Sequence, residues 1–144
     1  MERIIKKIRK NHILAICLGI VYLWFGILKF FPNHSPAESL AKNTVDIITF
    51  GSMSPDVSII LLAAWETLVG ILLIFNIKRQ VALILAFAHI LPTFLPLFLF
   101  SQDSFTSPFS FTLLGQYIFK NIIIIGALVT LFKYHQNKNI AASA

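Results

Sequence analysis

The chain has 144 residues, 57% of them hydrophobic and 12% charged, with a mean hydropathy of +0.80 and a net charge of +6. Soluble domains carry about 25% charged residues, and a core of this size could not hide so much apolar surface. An ordinary soluble enzyme, a disordered chain and a disulfide scaffold are excluded. Cys17 is the only cysteine, so no intrachain disulfide or thiolate metal cluster can form. The positive charge is confined to short stretches and is not a nucleic-acid footprint.

Apolar runs of about 20 residues, the length that crosses a hydrocarbon core of about 30 Å, number four. Ahead of the first stands a basic stretch with Arg3, Lys6, Lys7, Arg9 and Lys10, which reads as a topology signal that also meets anionic headgroups. The first span is Ile13–Phe31, ending at Pro32. Its apolar run is long for a signal peptide and no A-x-A site follows promptly, so it is expected to stay as a membrane helix. The loop beyond it contains Ser35-Pro36-Ala37-Glu38, the pattern of a capping box. Ala37, Leu40, Ala41, Val45 and Ile48 then recur at helical spacing, with Gly51 available as a C-terminal stop. This predicts a short amphipathic helix on the outer surface, either resting on the headgroups or lying over the mouth of the bundle.

The second span is Val57–Ile77, stopped by Asn76, Lys78 and Arg79; the third is Val81–Phe100, carrying Pro92 and Pro96. The segment Ser101–Thr112 is rich in Ser, Thr and Phe and carries no motif. The fourth span is Leu113–Phe132, ending at Lys133. An α-helix satisfies its own backbone in lipid. The expected fold class is therefore an all-α membrane protein: one domain over residues 1–144, a four-transmembrane-helix bundle with a short amphipathic helix in the first outer loop.

Nine Lys and Arg residues lie in the N-terminal tail, the second-to-third connection and the C-terminal tail, against Lys42 alone in the first loop. By the positive-inside rule both termini and the middle connection are expected in the cytoplasm, with Glu38, Asp46, Asp56 and Asp103 outside.

Each span also holds one ionisable residue: Lys29, Glu66, His89 and Lys120. A charge at the bilayer centre costs about 2.5–3.5 kcal/mol on insertion scales, so these four positions call for an explanation. Stepping by three and four, Lys29 shares a face with Gly19, Tyr22 and Gly26, and Glu66 with Ala63 and Gly70. His89 follows Ala82 and Ala86 and precedes Thr93 and Pro96, while Lys120 follows Thr112 and Gln116. Small residues allow close helix approach, so these faces are expected to meet inside the bundle. At 1.5 Å per residue, Glu66 and Lys120 lie at similar depth, very roughly 10–14 Å below the outer boundary, which predicts a Glu66–Lys120 pair. Lys29 sits near the outer edge, within reach of water, and Tyr117 suits an aromatic belt. Taken singly, Lys29 also fits an interfacial anchor, His89 a packing residue, and Glu66 with Lys120 a structural ion pair. One negative and two positive charges converge, which suits an anionic group or a polar headgroup entering from outside. A bis-His haem is excluded because only His89 lies within a span, and no metal or phosphate-binding motif is present.

The string Tyr22-Leu23-Trp24-Phe25-Gly26-Ile27-Leu28-Lys29-Phe30 and the Pro-Ala-Glu helix after it resemble the opening of DoxX-like membrane proteins. So do Trp65-Glu66-Thr67-Leu68-Val69-Gly70, the His89…Thr93…Pro96 stretch and Gly115-Gln116-Tyr117-Ile118-Phe119-Lys120-Asn121. The resemblance spans residues 13–132. It implies a small four-helix protein of a bacterial-type inner membrane, with Lys29, Glu66, His89, Gln116, Lys120 and Asn121 as ligand-binding positions. It further implies an accessory role in a membrane redox system, quinone-linked or stress-related, with a quinone or small polar molecule as ligand and no catalytic activity of its own. Oxidoreductase partner subunits and a homo-oligomer are the partners implied, alongside the bilayer. The alternatives are a non-catalytic assembly factor or chaperone, and a small transporter using Glu66 as a proton site. Few spans and no visible repeat count against the last.

Overall fold

The computed structural model describes residues 2–35 and 38–143 and is predominantly helical. Pro36 and Ala37, the middle of the expected capping motif, lie outside the described residues. Helix α1 runs Glu2–Leu28, so the basic segment is a continuation of the first apolar helix. Helix α2 is Glu38–Ile48, α3 Pro55–Ile74 and α4 Arg79–Ile90. After α4 the chain forms a 3₁₀ turn, Pro92–Phe94, then the short helices α5, Pro96–Leu99, and α6, Ser101–Ser104. A two-stranded antiparallel hairpin follows, β1 Phe105–Ser107 and β2 Ser110–Phe111. Helices α7, Leu113–Phe119, and α8, Asn121–Ser143, complete the chain.

Four stretches are long and apolar enough to cross a membrane: Asn11–Leu28, Pro55–Ile74, Arg79–Leu99 and Leu113–Asn137. Several boundaries differ from the sequence expectation: α3 stops at Ile74 instead of Ile77, and the fourth span is divided at Lys120 into α7 and α8, which runs on past Phe132 to Ser143. The first helix ends three residues early, at Leu28, where Lys29 to Phe31 close short turns onto Gly26, Ile27 and Leu28. The third span is not one helix. Pro92 and Pro96 lack the N–H that an uninterrupted ladder needs, and the run changes pitch between Leu91 and Leu95.

Helix α1 packs on α3 and α8, and α4 packs on the same two, giving a ring of four. Successive helices run antiparallel. Lys29 reaches Glu66 whereas Gly19 meets Gly70 and Ile74, Glu66 faces His89, and Asn121 faces Thr93 while Phe132 faces Phe87. Both chain ends therefore lie at one end of the ring and α2 lies at the other. The half nearer the chain ends is filled by Ala15, Leu18, Val69, Leu73, Ala82, Leu83, Leu128 and Leu131. Many large apolar side chains remain exposed around the outside, among them Trp24, Leu61, Leu68, Ile84 and Ile123, as an integral membrane protein requires.

The α1–α3 seam is the tightest contact. A Cβ at Gly70 would stand 2.6 Å from the Leu23 nitrogen and 2.8 Å from the Gly19 oxygen; one at Gly26 would stand 2.6 Å from the Thr67 nitrogen. These neighbours are backbone atoms, which cannot rotate aside. Helix α2 ends at Ile48, and the expected stop residue Gly51 closes the turn that follows, with a φ of +73° that suits glycine and an N–H that bonds the Asp46 carbonyl. Gly70→Ala is expected to lower stability in detergent by about 1–3 kcal/mol through overpacking. Gly126→Ala, with nothing within 4 Å of the new carbon, should be neutral or stabilise by up to about 1 kcal/mol. Thermal unfolding of both variants against the parent checks the contrast.

Candidate functional site

Below α2, between the helices of the ring, lies a cavity of about 410 Å³. Its walls are mostly apolar, with Val21, Phe25, Leu62, Ile90 and Ile124 among them, and its roof is the inner face of α2: Leu40, Ala41, Thr44, Val45 and Ile48. Four of those five are positions whose spacing predicted the apolar face. Thr44 was not among them; it is buried because its hydroxyl donates to the Leu40 carbonyl at 2.7 Å and needs no other partner.

The polar side chains of the cavity centre on Glu66. Its Oε2 accepts from Lys29 Nζ at 2.7 Å and its Oε1 lies 2.8 Å from His89 Nε2. All three side chains are deeply buried, with 7%, 6% and 9% of their surfaces exposed. A carboxylate acceptor places the ring proton on Nε2. The other ring nitrogen, His89 Nδ1, is buried and has no hydrogen-bond partner among the described residues. Tyr22 stands edge-on to the imidazole at 5.5 Å and anchors its own hydroxyl on the Ala86 carbonyl at 3.1 Å. Lys29 also lies over the Phe25 ring, 6.0 Å from its centroid.

This overturns the expected Glu66–Lys120 pair. Depth along the bundle placed those two side by side, but Lys29 leaves the end of α1 and turns inward to take Glu66 first. Lys29 is accordingly buried, not directed to water. Lys120 lines the same cavity but makes no ion pair among the described residues. Asn121 lines it too, with its Nδ2 donating to Thr93 Oγ1 at 2.9 Å, and Thr93 in turn donates to the Ile90 carbonyl at 2.6 Å. Gln116 does not belong. It is exposed and its amide reaches toward the Phe111 carbonyl at 3.5 Å, away from the cavity wall. Tyr117 lines the cavity and packs edge-on against Phe25 at 5.9 Å, in place of an aromatic-belt position. Thr93 and Tyr22 were legible only as members of inward faces; the signal for Tyr22 was its place between Gly19 and Lys29.

The roof is held by charge. Lys42 on α2 bridges Glu38 at 3.0 Å and Asp56, in the first turn of α3, at 3.1 Å. Glu38 Oε2 also accepts the Asn33 N–H at 2.8 Å, two residues earlier than a capping box would direct it. The bond from Lys42, with that from Asn33, holds the Glu38 carboxyl below its ordinary range; Glu38 and Asp56 hold the Lys42 ammonium above its own. Comparison with family models, curated proteins and solved structures finds no match to this chain.

Two outcomes follow from these contacts. Lys29→Met or Glu66→Gln strands a buried polar partner and should each cost about 3–5 kcal/mol, with partial recovery in the double variant. Lys120→Met should stay within about 0.5 kcal/mol of the parent; a detergent unfolding cycle reads all four. A lowered Glu38 value means its stabilisation of the roof is present above the unfolded value of about 4.3 and lost as pH falls through the folded one. Hydrogen exchange in α2, corrected for intrinsic rates, should therefore accelerate on acidification below about pH 4 while α3 stays protected.

Proposed function

We propose that this chain is a DoxX-like integral protein of a bacterial-type inner membrane that serves a membrane redox system as an accessory subunit. It holds a small molecule with a polar head and an apolar body, such as a quinone, in the cavity under α2. In this reading both chain ends and the Phe75–Lys78 turn face the cytoplasm, and α2 lies at the outer surface as the roof of the site. One observation carries the proposal: an apolar cavity of about 410 Å³ whose polar side chains gather around Glu66. That volume falls in the range of small-molecule pockets, which pair apolar walls with a few placed polar groups. The resemblance of the four spans supplies the redox context.

A second reading is favoured by the same polar group. Lys29 and His89 occupy both oxygens of Glu66, as a brace within an assembly factor would, with no ligand needed.

Filling the cavity separates the two. Thr44→Trp on the roof should leave the bundle folded but remove cellular function and any small molecule that co-purifies in mild detergent, as identified by mass spectrometry. Full function with the cavity filled would favour the assembly factor. Orientation is checked by reporter fusions. Those at Lys78 and the C-terminus should report cytoplasm, and those near Lys42 and Asp103 the outside; a C-terminus outside would defeat the four-span arrangement.

A further inference from the structure

The charges that line the cavity do not balance. Lys29 and Glu66 neutralise each other at 2.7 Å, and His89 spends its Nε2 on the same carboxylate. Lys120 lines the same space with no ion pair and no side-chain hydrogen bond among the described residues. Tyr117 stands three residues earlier on the same helical face, also lines the cavity, and its hydroxyl likewise makes no hydrogen bond among the described residues. Asn121, the other nearby donor, is already committed to Thr93. Two residues that carry an ammonium and a phenol hydroxyl thus line an apolar space, and neither group has an acceptor among the described residues. Intramembrane ammonium groups are costly unless paired, and charge-assisted bonds to an oxyanion are the strong form of hydrogen bond.

Resting on the reading of the cavity as a ligand site, we infer that its occupant is a single-chain amphiphile with one negative charge on an oxygen head, a long-chain carboxylate. The head meets Lys120 Nζ and the Tyr117 hydroxyl. The chain lies along the apolar walls from α1, α3 and α8, under Val45 and Ile48 of α2. Each part of that assignment has its own reason. One cation is left over, so a head of one charge balances it and a dianion would not. A neutral head would leave Lys120 as it is. A small inorganic oxyanion would balance the charge but give up its hydration to walls that are almost all hydrocarbon, which cost affinity and return nothing.

The probes are laurate and dodecanol, which share a chain and differ in the charge of the head, titrated calorimetrically into the protein in phosphatidylcholine nanodiscs and corrected for empty discs. Laurate is expected to bind about 10- to 100-fold more tightly than dodecanol. Lys120→Met should abolish that preference and Lys120→Arg should keep it. Tyr117→Phe, which retains the ring packed on Phe25, should reduce laurate affinity by about 2- to 10-fold. The parent ratio needs no variant, and Lys120 is exposed and unpaired among the described residues, so its replacement is not expected to unfold the bundle. Equal binding of laurate and dodecanol, both lost in Thr44→Trp, would overturn the charged head and leave the cavity as a ligand site. Laurate binding unaffected by Thr44→Trp would overturn the cavity reading and this inference with it. Displacement of laurate by an equal concentration of sulfate, with the same dependence on Lys120, would overturn the chain-bearing ligand in favour of a small oxyanion.

Discussion

A carboxylate buried between apolar helices must be given partners, and most of the geometry at the α2 end of this protein follows from Glu66 receiving two. To reach it, Lys29 must leave the helical path of α1 at once, and α1 ends at Leu28. For Lys29 to reach, α1 must also lie close to α3, and Gly19, Gly26 and Gly70 remove the side chains that would hold them apart. His89 approaches from the third side, near the end of α4, just before the run is broken at Leu91. Three helices are thereby fixed in register by two contacts of 2.7 and 2.8 Å. In water such contacts are weak because exposed ions are already solvated. Here the alternative is a bare charge in low dielectric, so the contacts specify the arrangement even where their net contribution is small.

The bundle divides into two unlike halves along its length. Toward the chain ends, Leu73, Leu83, Leu128 and Leu131 are fully buried and fill the interior. Toward α2 the helices enclose a cavity, and closure passes to an eleven-residue amphipathic segment that could not be stable in isolation. That roof is held by apolar contact below and by the Glu38–Lys42–Asp56 bridges above. The first contact works in any medium of low polarity. The second depends on protonation and ionic strength, since Asp56 is almost fully exposed. A roof fastened partly by a charge contact that reaches the surface at Asp56 is held less firmly than a helix fastened by a buried seam.

The loop between the third and fourth spans joins this end as well. Phe105, Phe111 and Phe119 form a run of tilted rings, with 4.9 Å between successive centroids, tying the β-hairpin to α7. Helix α7 carries Tyr117 and leads directly into Lys120 and Asn121, so the hairpin helps set where those side chains meet the cavity.

The sequence alone determined what depends on composition and period. Four apolar runs, the amphipathic pattern over Leu40–Ile48, the stop at Gly51 and the small-residue faces through Gly26 and Gly70 are local properties, because hydrophobicity and backbone preference act residue by residue. The same faces singled out Lys29, Glu66, His89 and Lys120 as inward positions, the family resemblance added Asn121, and all five line the cavity. Tertiary structure decided which partners those residues take. Depth along an axis places Glu66 beside Lys120 and leaves Lys29 nearer the outer edge, whereas in the folded chain Lys29 is the residue that pairs. Whether α1 or α7 comes nearer is set by helix rotation and by how far each side chain can turn, and neither is written in a one-dimensional pattern. The same holds for Gln116, which shares a face with Lys120 on paper but is exposed, with its amide directed toward the Phe111 carbonyl of the hairpin. The hairpin itself had no period to read: its two strands are three and two residues long, and such short strands exist only because the helices on either side hold their ends together.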